Sequence, residues 1–208
     1  NIQGAGNLTI ANASITAGTM SGTGSTILAS DGTHSLSGGS QFINGGRTLR
    51  NDGQLSVGSA GHDVYIRVDG SSGATPKSRL VNQGEMSFQG TRSSGVAQYQ
   101  GNGEAEMENS GKLTKKDSGN AVISTRFNNS GRVVVDGGAL NISGDVANSG
   151  QFQINAGTLQ LSGNSTHSAT ASSSGAGTLV LSGGTHSFAD GFSDGGAGLT
   201  DLQSGSLL

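Results

Sequence analysis

Cysteine and tryptophan are absent from this chain of 208 residues, and proline occurs once, at Pro76. The absence of cysteine excludes disulfide bonds. It suits a bacterial protein that is exported through two membranes, where a disulfide formed too early would obstruct passage, and it fits a cytosolic protein equally. We favour export.

Large apolar residues are also scarce. Apolar residues make up 31% of the chain and aromatic residues 4%, which excludes a broad layered core of the usual kind. Composition alone would suggest a low-complexity or disordered chain. The regular spacing of the apolar residues argues against disorder, because it is repeated along most of the sequence.

Charge and hydropathy exclude further classes of protein. The formal net charge is −3, so we expect no broad electrostatic attraction to nucleic acid or to anionic membranes. No apolar run approaches the roughly 18 residues of a membrane helix, and we expect no membrane insertion of this segment. The chain begins at Asn1 with neither methionine nor a signal peptide, which predicts a piece of a longer exported chain.

Glycine is abundant, with 38 residues and no collagen-like period, and some of these glycines belong to a repeat. The pattern is apolar-x-Asn-x-Gly-x-apolar, where x is any residue. Its five asparagines are Asn51, Asn82, Asn109, Asn129 and Asn148. They are 31, 27, 20 and 19 residues apart, so the shortest spacing is close to 20 and two intervals are longer. A repeat of this length is typical of a solenoid.

A second repeat runs in step with the first towards the end of the chain. The segments 138–144, 157–163 and 177–183 share the pattern Gly-x-Leu-x-apolar-Ser-Gly and begin 19 and 20 residues apart. Alternation places the two apolar residues of each segment on one face, which we expect to be the interior. Each coil therefore has at least two strands, joined at glycine-rich corners.

These repeats predict an all-β fold, a parallel β-helix of about ten coils of about 20 residues each. Such a solenoid needs only a thin column of apolar side chains, because each coil completes its backbone hydrogen bonds with the coils on either side. We interpret 1–208 as a single domain and the two long intervals as inserted stretches, 58–79 and 89–104. At each corner we expect the asparagine in the left-handed αL conformation and the glycine two residues later at positive φ. We also expect the five asparagines to bond to their neighbours on adjacent coils and so to form a structural ladder.

Aligning the coils on their asparagines predicts which charged side chains stack. Three positions before the asparagine, the sign of the charge alternates on successive coils. These residues are Arg79, Glu106, Arg126 and Asp145. The same alignment stacks Lys77 on Glu104, on strands about 4.8 Å apart. Lys115 is an exception, because it falls at an inward position, and it predicts a local bulge or slip.

The positively charged and tyrosine residues are concentrated in the middle of the chain. All 11 lysines and arginines and both tyrosines lie between Arg47 and Arg132. Loops displayed on a rigid solenoid are the usual place for binding residues. The candidate binding residues are those of the long intervals, namely Tyr65, Arg67, Arg92 and Tyr99. The alternative interpretation is that Tyr65 and its apolar neighbours form another strand of the coil.

Three Thr-His-Ser triplets, at His34, His167 and His186, raise the question of a metal site. Two imidazoles without a nearby carboxylate or cysteine make an incomplete set of ligands. We therefore predict no bound metal and interpret the triplets as a surface polar ladder.

Glu104, Glu106 and Glu108 alternate along one strand and share a face, an arrangement compatible with the paired carboxylates of a glycosidase or pectinase. Their predicted partners on neighbouring coils are basic, which stabilises ionised carboxylates and works against a general acid with a raised pKa. We therefore expect no catalytic residues, and no cofactor is implied.

The segment Gly175–Phe188 reads Gly-Ala-Gly-Thr-Leu-Val-Leu-Ser-Gly-Gly-Thr-His-Ser-Phe. It resembles the Gly-Thr-Leu-x-Leu-Ser-Gly repeat of bacterial autotransporter passengers and filamentous-haemagglutinin-like exoproteins. Together with the Asn-Ser-Gly coils, the likeness covers most of residues 1–192. It implies a right-handed parallel β-helix that is secreted by a type V or two-partner route and serves as an adhesin, a stalk or a toxin-delivery rod.

Three functions are compatible with these features. We favour a structural or adhesive module, secreted or on the bacterial cell surface, that binds a glycan, a matrix protein or another copy of itself. The first alternative is a polysaccharide-active β-helix enzyme or a phage tailspike-like protein, which would need acidic side chains converging without basic partners. The second alternative is a filament subunit whose end coils stack on the next copy.

Overall fold

The computed structural model of the chain describes residues 1–71, 76–101, 104–196 and 198–208. These residues form 28 β-strands, and no helix long and apolar enough to cross a membrane occurs among them. The strands form three sheets of ten, nine and nine strands, in which each strand pairs with the strands three places before and after it. Neighbouring strands run parallel. The predicted parallel β-helix is confirmed, with three strands per coil and about nine turns.

The strands have the following bounds in chain order. They are β1 (Leu8–Ile10), β2 (Ala13–Ile15), β3 (Gly18–Met20), β4 (Ser25–Leu28), β5 (Thr33–Leu36), β6 (Gln41–Ile43), β7 (Thr48–Asn51), β8 (Gln54–Val57), β9 (Val64–Gly70), β10 (Arg79–Asn82), β11 (Glu85–Phe88), β12 (Ser94–Gly101), β13 (Glu106–Asn109), β14 (Lys112–Lys115), β15 (Asn120–Ile123), β16 (Arg126–Asn129), β17 (Arg132–Val135), β18 (Ala139–Ile142), β19 (Val146–Asn148), β20 (Gln151–Ile154), β21 (Thr158–Leu161), β22 (Ser165–His167), β23 (Ser172–Ser174), β24 (Thr178–Leu181), β25 (Thr185–Phe188), β26 (Ser193–Asp194), β27 (Leu199–Leu202) and β28 (Ser206–Leu207). Sheet 1 begins with β1 and ends with β28, sheet 2 begins with β2, and sheet 3 begins with β3.

The core is a set of narrow columns of apolar side chains that run along the helix axis. Leu140 pairs with Leu159, and Leu159 pairs with Leu179 on the next coil. All three are at most 3% exposed, as the alternation in the second repeat predicts. Because each column needs one apolar residue per coil, the low apolar content of the chain is sufficient.

The corner glycines are required by close contact between coils. The prediction of αL asparagines and positive-φ glycines at these corners is wrong, because the asparagines end their strands in extended conformation and none of the five glycines has positive φ. A Cβ on Gly111 would lie 2.1 Å from the carbonyl oxygen of Gly84, and a Cβ on Gly131 would lie 2.1 Å from that of Gly111. Each corner stacks so tightly on the preceding one that only glycine fits.

Substituting Gly131→Ala is expected to lower the free energy of unfolding by about 2 kcal/mol, because the added methyl group collides with a backbone oxygen and forces the coils apart. Gly39→Ala is the matched control, since a Cβ there meets no atom closer than 3.5 Å. Urea denaturation of both variants measures the difference. Equal stability of the two variants would show that the corner stacking tolerates a side chain.

β9 and β12 are the longest strands, with 7 and 8 residues, and they change the register of sheet 3. β6 pairs with the middle of β9, where Gln41 lies opposite Ile66. β15 pairs with the first half of β12, where Ala121 lies opposite Ser94, the partner of Val64. Along the strand direction, the coils that precede β9 are therefore offset by two residues, or about 7 Å, from the coils that follow β12.

The alternative interpretation of Tyr65 is therefore the one that the structure shows, because β9 belongs to sheet 3. The bounds of the inserted stretches, 58–79 and 89–104, stay a prediction. Residues 72–75 of the first and 102–103 of the second lie outside the described residues.

Candidate functional site

The register of sheet 1 opposes charges of alternating sign, but the ion pairs are not all between opposed residues. Arg79 lies opposite Glu106, and Glu106 lies opposite Arg126. The ion pair of Arg79 is with Glu108, at 3.0 Å, two residues further along the strand. Glu106 instead accepts a hydrogen bond from Asn128. The charge ladder is therefore partly diagonal.

Two further carboxylates of this face are also engaged. Lys77 forms an ion pair with Glu104, and the hydrogen bond and charge of its ammonium hold the pKa of the Glu104 carboxyl below its usual value. Asp145 Oδ1 accepts a hydrogen bond from Asn164 Nδ2 at 3.1 Å. A carboxyl group with a lowered pKa, such as that of Glu104, is a poor general acid.

The corner asparagines form a continuous hydrogen-bonded ladder inside the helix. Each is at most 3% exposed. The Nδ2 of each of the first four asparagines donates to the Oδ1 of the asparagine on the next coil, at 2.7 to 2.8 Å. The ladder thus provides buried amides with partners that no single coil could supply.

The direction of the ladder is set by the backbone at its end. Gly150 N–H donates to Asn148 Oδ1 at 3.2 Å, so Asn148 Nδ2 must face the next coil. There it lies 3.2 Å from Nδ1 of His167, which accepts the bond and leaves the imidazole proton on Nε2. That Nε2 lies 3.0 Å from Ser165 Oγ, which lies 2.8 Å from Nδ1 of His186. The ladder therefore continues into a buried His-Ser-His chain.

The interpretation of the Thr-His-Ser triplets as a surface ladder is wrong. His34, His167 and His186 are at most 1% exposed, because alternation turns the middle residue of each triplet inward. The ring of His167 stacks on Phe188 at 4.5 Å between centroids. Burial, with the nearby His186, lowers the pKa of His167 to about 4, and burial also lowers the pKa of His186. In the part of the chain that the structure describes, no group of three or more His, Asp or Glu residues could hold a metal ion.

Lys115 occupies an inward position without the predicted bulge. Phe88, Lys115 and Val135 pair in unbroken register. The lysine is 1% exposed, and its Nζ donates to the carbonyl oxygens of Lys116 and, at 2.9 Å, Asp117. Asp117 has a φ of 55°, and the backbone turns there rather than in the strand. Burial lowers the pKa of the Lys115 ammonium.

Three of the four candidate binding residues meet on the outer face of sheet 3. In β9 the apolar residues face inward and are 0% exposed, so Tyr65 and Arg67 face outward. Tyr99 faces outward on β12, and Phe42 does so on β6. We call Phe42, Tyr65, Arg67 and Tyr99 the tyrosine-arginine patch.

Contacts within the tyrosine-arginine patch hold its side chains in place. The guanidinium carbon of Arg67 lies 5.3 Å from the centroid of the Tyr65 ring, a cation–π distance. Arg67 Nε donates to Ser40 Oγ at 3.1 Å. The rings of Phe42 and Tyr99 meet edge to face, with centroids 4.9 Å apart, and so bridge across β9. The four side chains form one continuous surface on three adjacent strands.

Sequence reasoning missed Phe42, which completes this surface. Its neighbours Gln41 and Ile43 are 2% and 0% exposed, so strict alternation would have placed Phe42 outside. The alternation was hard to recognise in the sequence because Gln41, the inward residue before Phe42, is polar.

Arg92 lies apart from the patch. It precedes β12 by two residues and Tyr99 by seven, which is about 23 Å along a strand. With Asp63 and Asn120 it lines a polar depression of about 340 Å³. The structure therefore divides the four candidate residues between two places.

A shallow groove of about 560 Å³ runs along the outer face of sheet 1, above the asparagine ladder. Small side chains line much of it, among them Ala147, Ser149 and Thr166. Its carboxylate, Glu108, is held by Arg79. The groove therefore offers fewer directional groups for recognition than the tyrosine-arginine patch.

No protein-family model, no curated protein and no solved structure matches this chain. Its function must therefore be inferred from its own residues. The resemblance of its repeats to autotransporter passengers and filamentous-haemagglutinin-like exoproteins stays a prediction.

Proposed function

We propose that this chain is a structural and adhesive β-helix module, secreted or on the bacterial cell surface, that binds a glycan through the tyrosine-arginine patch. The observation that carries the proposal is the patch itself, two tyrosines and an arginine displayed outward together. Tyrosine and arginine are the residue types most enriched where proteins bind their partners, because each combines a flat contact area with directional donors.

The scaffold supports a binding role because it is rigid. β9 and β12 pair over six residues in register, from Val64 opposite Ser94 to Asp69 opposite Tyr99. The side-chain contacts of the patch exist before any ligand arrives, so binding requires little ordering of side chains. A surface of this kind can hold a ligand without moving.

The carboxylates favour adhesion over catalysis. A glycosidase needs two carboxyl groups flanking one bond, one of them with a raised pKa. Glu104 and Glu108 are each held by a basic side chain, and Glu106 accepts a hydrogen bond from Asn128. Since all three side chains are engaged by neighbours and the pKa of Glu104 is lowered rather than raised, the enzyme alternative has less support than binding.

A glycan array probed with the purified chain tests the proposal. We expect binding to a restricted class of glycans and at least about tenfold weaker binding by the double variant Tyr65→Ala, Tyr99→Ala, because aromatic contacts dominate such surfaces. Both side chains face outward, so denaturation curves should show that the variant remains folded. Arg92→Ala is the control and should bind as the unchanged chain does.

Either of two outcomes would contradict this proposal. One is the absence of binding to any glycan on the array by the unchanged chain. The other is equal binding by the folded double variant, which would place the binding surface elsewhere on the solenoid.

A further inference from the structure

Arg67 faces outward on sheet 3 and carries a positive charge. Among the described residues its guanidinium forms no ion pair. The residues outside the described ranges, 72–75, 102–103 and 197, include no acidic residue in the sequence. Its Nε is bound by Ser40, which directs the two terminal nitrogens of the guanidinium away from that bond. This pair of parallel N–H groups matches the geometry of a carboxylate.

The strand beside Tyr65 and Arg67 carries small residues. On β12, Gly95 lies opposite Tyr65 and Ala97 lies opposite Arg67, so the neighbouring strand presents almost no side chain there. Gly95 is buried, whereas Ala97 is partly exposed. A sugar ring would therefore lie over Ala97 beside Arg67, between Tyr65 and Tyr99.

The spacing of the tyrosines favours an elongated ligand. Tyr65 lies opposite Gly95, four residues before Tyr99 on β12, which is about 13 Å along the strand. Along the strand direction, Arg67 lies between Tyr65 and Tyr99. A linear oligosaccharide along the strand would contact both rings and bring a central acidic group to the guanidinium.

We propose that the tyrosine-arginine patch recognises a uronate residue within a linear acidic polysaccharide, through a bidentate contact of Arg67 with the sugar carboxylate. The inference rests on the proposed glycan-binding function and names its ligand class.

Asp69 limits where along the strand the carboxylates of the ligand can lie. It faces outward opposite Tyr99, its Oδ1 accepts hydrogen bonds from the backbone and hydroxyl of Ser71, and its charge repels a second carboxylate at that end.

Isothermal titration calorimetry with trigalacturonic acid and with its fully methyl-esterified form tests the inference, because the two ligands differ in charge and share the sugar. We expect the acid to bind at least about tenfold more tightly than the ester, since hydrogen bonds to charged groups are the stronger ones. High salt should weaken binding of the acid and leave binding of the ester nearly unchanged.

The variants sharpen the test. Arg67→Gln should weaken binding of the acid about tenfold and leave binding of the ester unchanged, whereas Arg132→Gln, the same charge change on the exposed face of sheet 2, should alter neither. Arg67→Lys keeps the charge without the paired N–H groups and should retain part of the affinity. Asp69→Asn should tighten binding of the acid. Denaturation curves of each variant establish that it is folded.

Several outcomes would overturn the inference. Equal affinity for acid and ester, or an unchanged affinity for the acid in folded Arg67→Gln, would leave glycan binding intact and remove the carboxylate contact. Tighter binding of 3′-sialyllactose or of polyglutamate than of trigalacturonic acid would assign the site to another carboxylate source. Absence of binding to all glycans would instead contradict the proposed function.

Discussion

Asn129→Leu is expected to lower the free energy of unfolding by about 3 kcal/mol. Leucine has nearly the shape of asparagine, so little cavity forms, but it can neither donate nor accept a hydrogen bond. Asn109 Nδ2 then loses its acceptor at 2.7 Å and keeps only long bonds, at 3.4 Å, to the carbonyl oxygens of Gly111 and Arg132. Asn148 Oδ1 keeps only the longer bond from Gly150 N–H. Both groups remain buried, and poorly satisfied buried polar groups cost about 1–3 kcal/mol each.

The preceding residue provides the matched control. Asn128 faces outward, is half-buried, and donates to the carboxylate of Glu106. Asn128→Leu is the same chemical change on the same strand, and we expect it to cost less than about 1 kcal/mol. Urea denaturation of the two variants at neutral pH gives the comparison. Similar losses in both would mean that the buried ladder contributes no more than an ordinary surface contact.

Acid is expected to destabilise the protein by about 3 kcal/mol as the pH falls from 6.5 to 4, because of His167. The pKa of this imidazole is about 4 in the folded chain and 6.5 ordinarily. As the pH falls, the unfolded chain therefore binds the proton first. The contribution of the neutral His167 imidazole to the free energy of unfolding is complete above pH 6.5. It is lost progressively towards pH 4 and is absent below pH 4.

The surroundings of His167 explain why its protonation is resisted. Asn148 Nδ2 already donates to Nδ1 of His167. Protonation of Nδ1 would therefore place its N–H group against the N–H group of the Asn148 amide. The rings that contact His167 belong to Phe152, Phe188 and Phe192, and none of them provides a negative charge. His186, joined to it through a serine, would add repulsion if it were charged.

The variant His167→Asn tests whether His167 causes the loss of stability in acid. The substitution extends the asparagine ladder by one residue and removes the titrating group. Unfolding free energies from urea denaturation at pH 7, 5.5 and 4.5 should depend less on pH in this variant. Part of the dependence should remain, since the pKa of His186 is also lowered. His62→Asn replaces an exposed histidine and should leave the dependence unchanged. The same steep loss of stability in His167→Asn as in the unchanged chain would contradict the assignment.

The repeating part of the fold could be predicted from the sequence because every coil places equivalent residues in equivalent surroundings. Asn109 and Asn129 lie at the same corner, and Leu140 and Leu159 lie in the same column. One correct alignment of the repeats therefore predicts most pairings at once. The alignment also predicted Lys77 beside Glu104, which the structure brings into contact.

The candidate site could be predicted only in part. Tyr65, Arg67 and Tyr99 stand out in the sequence because such residues are rare in this chain. That Phe42 joins them, and that Arg92 does not, depends on the two-residue offset that β9 and β12 introduce. The lengths of these strands are not encoded in the repeat, since they occur in the intervals that depart from it.

The sequence by itself determined the length of the repeat, which residues form the inward-facing columns, and which residues stack at the corners. Only the tertiary structure decided what the polar inward residues do. The inward position of His167 follows from alternation, but its role depends on Asn148 from one coil and Phe188 from the next. The corner glycines likewise follow from the repeat, whereas their cause is a carbonyl oxygen of the preceding coil. In both cases the deciding contact is made between coils, about 20 residues apart in the chain, and a pattern within one coil does not contain it.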